Sequence, residues 1–166
     1  VVNGAGALTK AGDGTLALAG ANTYTGGTRL QGGTVQVSRD NNLGQAAGAV
    51  TFDGGRLANT GSFATARTAT LNKAGQIDTD RGTTLTWNGA IGGKGELRKQ
   101  GAGTLVLGGA NTYQGDTRVE AGTLQVSADA NLGQGAVHLH DSRLATTGTF
   151  ATSRRLELTG RGAVQA

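Results

Sequence analysis

The chain has no cysteine, no proline and no methionine, and only six of its 166 residues are aromatic. Without cysteine no disulfide can staple the fold; the absence suits a chain that stays threadable and does not by itself fix a compartment. Without proline or a strict triplet period, the 31 glycines cannot belong to a collagen helix. No stretch approaches the roughly 18 consecutive apolar residues of a membrane-spanning helix, and no signal peptide is visible. A basic cluster is lacking too. The net charge of +4 rests on eleven arginines, including Arg29, Arg39, Arg56, Arg67, Arg81, Arg98 and Arg118, of which only Arg154 and Arg155 are adjacent. Scattered in this way they read as solubilising charge, whereas a nucleic-acid interface shows clustered cations with aromatic platforms. Val1, opening in mid-pattern, suggests a segment of something larger.

What the chain does have is a copy of itself. Gly4–Gly44 and Gly93–Gly133 align without a gap at 26 of 41 positions, 89 residues apart. After a two-residue deletion the match resumes, GRLANTGSFATARTATL at Gly55–Leu71 facing SRLATTGTFATSRRLEL at Ser142–Leu158. Repetition on this scale marks an array, which lengthens by adding units. A catalytic site needs different residues converging once, so the repeat argues against an enzyme.

Within each copy, short apolar runs alternate with small or polar residues: Thr15–Leu18, Thr34–Ser38, Thr83–Trp87, Thr104–Leu107, Thr123–Ser127. Period-two alternation bounded by Gly, Asn and Asp is the strand signature, and the Gly-Gly and Asp-Gly corners permit tight bends. An antiparallel sandwich would not be expected to reproduce itself across half a chain. The expectation is therefore an all-β, right-handed, single-stranded parallel β-helix with coils of about 20–25 residues. The 89-residue repeat would then span about four coils. Residues 1–166 read as one continuous segment, with units at about 4–92 and 93–166, the second truncated. Leu85, Trp87, Ile91 and Leu97 carry the inward stripe across the junction. Leu16, Leu18, Val35, Val37, Leu105, Leu107, Leu124 and Val126 form its main line.

The string GTLxLxGANTYxGxTRxxxGTLQVS, at Gly14–Ser38 (with Val35 for the second Leu) and Gly103–Ser127, resembles the passenger-associated transport repeat of bacterial autotransporters. The resemblance covers essentially the whole chain. It implies a parallel β-helical passenger, exported through a C-terminal β-barrel of the same polypeptide with the outer-membrane assembly machinery, and placed at the surface of a Gram-negative bacterium or secreted from it. It further implies that the repeats serve export and folding while activity resides elsewhere, which would make this segment a stalk.

The motif residues Asn22, Thr23, Tyr24, Gly26 and Thr28, and their copies Asn111, Thr112, Tyr113, Gly115 and Thr117, are either a recognition patch or the chemistry of a corner. In the corner reading Asn bonds backbone in the bend and Tyr covers the coil edge. His138 and His140 share a strand face and sound like a weak metal site, but their counterparts Thr51 and Asp53 make them incidental and exposed, so no metal is expected. Asp78 and Asp80 share a face, yet nothing sets a second carboxylate group across a glycosidic bond. No catalytic residue and no cofactor is expected. The alternative function is adhesion to host glycans or polyanions through an Arg- and Thr-rich outer face. Open coils at both ends predict end-to-end self-association.

Overall fold

A computed structural model describes all of Val1–Ala166. The alternating runs form short strands of three to five residues, and every strand pairing is parallel. They stack into three sheets of five, six and eight strands, the faces of a triangular solenoid with eight rungs on its longest side. The eight-stranded sheet runs from Thr15–Leu18 to Leu156–Thr159, the six-stranded sheet from Phe63–Thr65 to Ala163–Gln165, and the five-stranded sheet from Leu8–Lys10 to Ile91–Gly93. Successive rungs lie about 4.8 Å apart.

Parallel, in-register stacking places like on like. Leu85, Leu105, Leu124 and Leu144 form one inward column of the six-stranded sheet, and Trp87, Leu107 and Val126 form the next. The columns make one continuous apolar core. Seven of the eight stripe residues are buried; Leu16, on the first rung of its sheet, is only partly covered because no coil lies beneath it. Leu85, Trp87, Ile91 and Leu97 are all buried, so the junction between copies is core. At the other end Leu158 and Val164 continue the inward columns but stay about half exposed.

The repeat does not span a whole number of coils. One coil takes between nineteen residues (Thr15 to Thr34) and twenty-two (Thr28 to Val50), the lower half of the expected length with the shortest coils one residue under it. Four coils from Leu8 lead through Thr28, Val50 and Ala69 to Ile91, still on the five-stranded sheet. Leu97, the copy of Leu8, lies one face further on, in the eight-stranded sheet. Likewise Thr15–Leu18 is in the eight-stranded sheet and its copy Thr104–Leu107 in the six-stranded one. The unit is thus four coils plus one face, and the same sequence builds two different sides of the triangle.

Candidate functional site

The motif segments sit where the chain leaves the regular sheets. A rung without strand pairing must satisfy its backbone in another way, and Asn does this. Asn111 Oδ1 accepts the Ile91 N–H (2.8 Å) and its Nδ2 donates to Asn131 O (2.6 Å), so one side chain joins the coil below to the coil above. Asn22 repeats the bridge between Val2 N–H (2.7 Å) and Asn42 O (2.7 Å). Asn42 and Asn131 then close the next turn: Asn131 Oδ1 accepts the Ser127 and Ala128 N–H groups and its Nδ2 donates to Gly109 O. Asn42 is the third residue of the short 3₁₀ turn Asp40–Leu43, and Asn131 is the third and last of its copy, Asp129–Asn131.

Tyr24 and Tyr113 do not cover a coil edge, as the corner reading supposed; they are buried. Each hydroxyl pairs with the Thr four residues on, Tyr24 with Thr28 at 2.7 Å and Tyr113 with Thr117 at 2.6 Å. The aromatic ring fills the core where an inward strand residue is missing, and the polar tip is satisfied locally. Gly26 and Gly115 are required by contact: a Cβ on Gly115 would lie 2.6 Å from Glu96 N, and one on Gly26 would lie 2.4 Å from Ala7 N. Of the motif side chains singled out, only those of Thr23 and Thr112 face solvent.

Burial raises both tyrosines, against the pull of the threonine hydrogen bonds, and Tyr113 is pushed up to about 12. An unfolded tyrosine ionises near 10. Between pH 10 and 12 the native chain therefore holds a proton that the unfolded chain has lost, and stability falls as pH rises. We expect the urea midpoint to drop more between pH 9.5 and 11.5 in the wild type than in Tyr113→Phe. Equal drops would contradict this assignment.

Two cations counted as surface charge are structural. Arg67 is buried: Nε and Nη2 hold the Asp40 carboxylate (2.8 and 3.1 Å), and the guanidinium also donates to the carbonyls of Asp40, Gly44, Gln45 and Gly48. The copy, Arg154 on Asp129, has the same design in longer bonds (2.9–3.4 Å). The recurrence of Asp and Arg at matching places in both copies was the signal that reveals this clamp. Lys99 lies in an inward apolar column, next to Ile77 and Val119, and its Nζ reaches the carbonyls of Gln100, Gly101 and Ala121. Burial pushes it down to about 8 against the opposing pull of Asp78.

The outward face of the eight-stranded sheet carries charges that neutralise one another. Arg98 and Arg118 share Glu96; burial works to raise that carboxyl, but the two guanidinium hydrogen bonds hold it below the usual range. His138 is not incidental: its Nε2 meets Asp116 at 2.9 Å and its Nδ1 meets Glu157 at 2.6 Å, tying three rungs. His140 is exposed, and no cluster of three or more His, Asp or Glu side chains is arranged to hold a metal ion. Asp78 pairs with Arg56 at 3.5 Å, while Asp80 lies beyond the strand end in a turn closed by Thr83, so the two do not form a face pair. Trp87, Phe52 and both tyrosines are inside, which leaves the outer faces without those rings as platforms for stacking sugars or bases.

Comparison with known proteins agrees with this architecture. The model of the passenger-associated-transport-repeat matches residues 8–37 and 97–126, the two segments that run from the first strand of each unit through its motif. An adhesin, the BmaC autotransporter of Brucella suis biovar 1, is 45% identical over 127 residues, 76% of this chain but 4% of that protein. An extracellular serine protease of Serratia marcescens is 39% identical over 69 residues, 42% of this chain and 6% of that one. The chain thus spans only a small fraction of the curated relatives it matches. No solved structure matches it. With two matched repeats on one parallel β-solenoid, the chain is a passenger-associated-transport-repeat segment similar to those of autotransporter passengers.

Proposed function

We propose that this segment is a stalk whose coils assist export and folding of a larger passenger at the Gram-negative surface. The observation that carries the reading is the use of the recurring residues: Asn22, Tyr24, Thr28, Asn111, Tyr113 and Thr117 are all spent on contacts within and between coils. Residues kept from copy to copy for coil stacking fit a device that folds by adding coils, each gaining burial on its neighbour. Each inward Leu or Val contributes roughly 1.5–3 kcal/mol when fully covered. Folding outside the membrane would then favour outward movement of a chain that crosses through its own C-terminal barrel.

The test is made in a full-length passenger carrying this segment. Deleting one unit or breaking the Asn111 bridge with Asn111→Ala should slow the appearance of passenger at the surface. Binding or activity per displayed molecule should be unchanged. If export is unaltered while host-cell binding disappears, the stalk reading is wrong and an adhesive surface takes its place.

A further inference from the structure

The two copies supply an internal control: what the fold needs recurs, and what differs at matching positions is free for another use. The clearest difference lies at one corner. In the first copy Arg56 follows two stacked threonines, Thr15 and Thr34, in an outward column. Its guanidinium is consumed by the next rung, through Gln76 Oε1 (3.3 Å) and Asp78 Oδ2 (3.5 Å). The column that ends on the counterpart of Arg56 in the second copy reads Thr84, Thr104, Thr123, Arg143, with Thr84 from the end of the first. Ala163 and Gln165 now stand where the first copy has Gln76 and Asp78. Arg143 has lost both partners, is exposed, and enters no ion pair. The same coil adds Arg161 where the first copy has Ala74, and no carboxylate of these coils forms an ion pair with its guanidinium. Both arginines line an open depression of about 300 Å³ with Gly122, Thr123, Asp141, Ser142 and Ala163.

We propose that this depression is a binding site for one oxyanion group, sulfate or carboxylate, of an acidic polysaccharide. Two guanidiniums with no internal acceptor present planar, charge-assisted donors suited to such a group. The threonine row, one rung apart, continues from Arg143 along the outer face with hydroxyl side chains at about 4.8 Å spacing. That row suits the hydroxyls of a linear sugar chain. A single opposing charge sits on the rim: Asp141, whose Oδ1 accepts the Arg161 backbone N–H at 2.8 Å. It leaves the corner one positive charge in excess, where the first copy's Arg56 and Asp78 cancel. Arg143 and the threonines recur in the first copy; what is particular to this corner is Arg161 and Asp141 in place of Ala74 and Gly54, and Ala163 and Gln165 in place of the two acceptors of Arg56.

The experiment is titration of this chain at low ionic strength, followed by calorimetry and backbone amide shifts. The probes are a heparin-derived oligosaccharide, an oligogalacturonate, a neutral maltooligosaccharide and polyglutamate. Saturable binding of either acidic sugar is expected, with shifts confined to Gly122–Thr123, Ser142–Arg143 and Arg161–Ala163. A response to heparin alone identifies sulfate, and a response to both identifies any oxyanion. Arg143→Gln or Arg161→Gln should each weaken binding roughly tenfold without moving the thermal midpoint, since both side chains are exposed. Asp141→Asn should tighten it, and Arg56→Gln should leave it unchanged. The proposal is overturned if no probe saturates, if Arg56→Gln weakens binding as much, if the neutral sugar binds equally, or if polyglutamate binds more tightly than either sugar.

Discussion

Replacing Arg67 by alanine is expected to destabilise the solenoid by about 3–5 kcal/mol, the range for removing one partner of a buried ion pair. The reason is what remains. The Asp40 carboxylate and the carbonyls of Asp40, Gly44, Gln45 and Gly48 converge on one guanidinium, and alanine offers them no donor. Buried acceptors left unmet cost more than the bonds contributed. Arg67 O also accepts the indole N–H of the buried Trp87 at 2.8 Å, so the loss reaches the largest side chain of the core. Arg67→Met, which restores the stem but no donor, should recover little. Arg154→Ala should cost less, because its bonds are longer and its side chain is more exposed than that of Arg67. Urea titrations of the three variants check this, with amide exchange at 40–48 showing where protection is lost. Similar losses for Arg154→Ala and Arg67→Ala would mean that burial of the cation does not set the scale.

Gly115→Ala is expected to destabilise by about 3 kcal/mol, the upper end of the overpacking range. The added carbon would meet Glu96 N and Gly95 O, both at 2.6 Å. These are backbone atoms of the adjacent rung, which cannot rotate away as a side-chain tip would. Moving them disturbs the Gly115 N–H to Gly95 O bond at 3.2 Å and the Glu96 carboxylate held by Arg98 and Arg118. Gly6→Ala is the control, because nothing lies within 4 Å of its Cβ position. Chemical denaturation of the two variants decides the matter. Should Gly115→Ala match Gly6→Ala, the motif glycine would not be there for close approach.

Much of this was legible beforehand, and the reason is periodicity. Leu105, Leu107, Leu124 and Val126 recur with period two on strands that stack in register, so a pattern along the chain becomes a column in space. What was missed lacks that simple link. Lys99 occupies an inward position of the same kind, but a lysine there is legible only when the carbonyls of Gln100, Gly101 and Ala121 are brought to its tip by the corner. Arg67 is 27 residues from Asp40 and one coil away, a distance across which charge signs alone say nothing about contact. His138 was misjudged because its counterpart Thr51 faces a different side of the triangle with different neighbours.

The sequence by itself determined that the chain is a repeat, that its strands are short and inward-alternating, and that its motif belongs to a passenger array; these follow from local pattern and from comparing one half with the other. Only the tertiary structure decided which face each copy occupies. A coil of nineteen to twenty-two residues makes the 89-residue unit overrun four turns by one side, so identical strings acquire different neighbours. Pairing across coils, not the string, then sets whether an arginine is clamped like Arg67, neutralised like Arg56 or left free like Arg143.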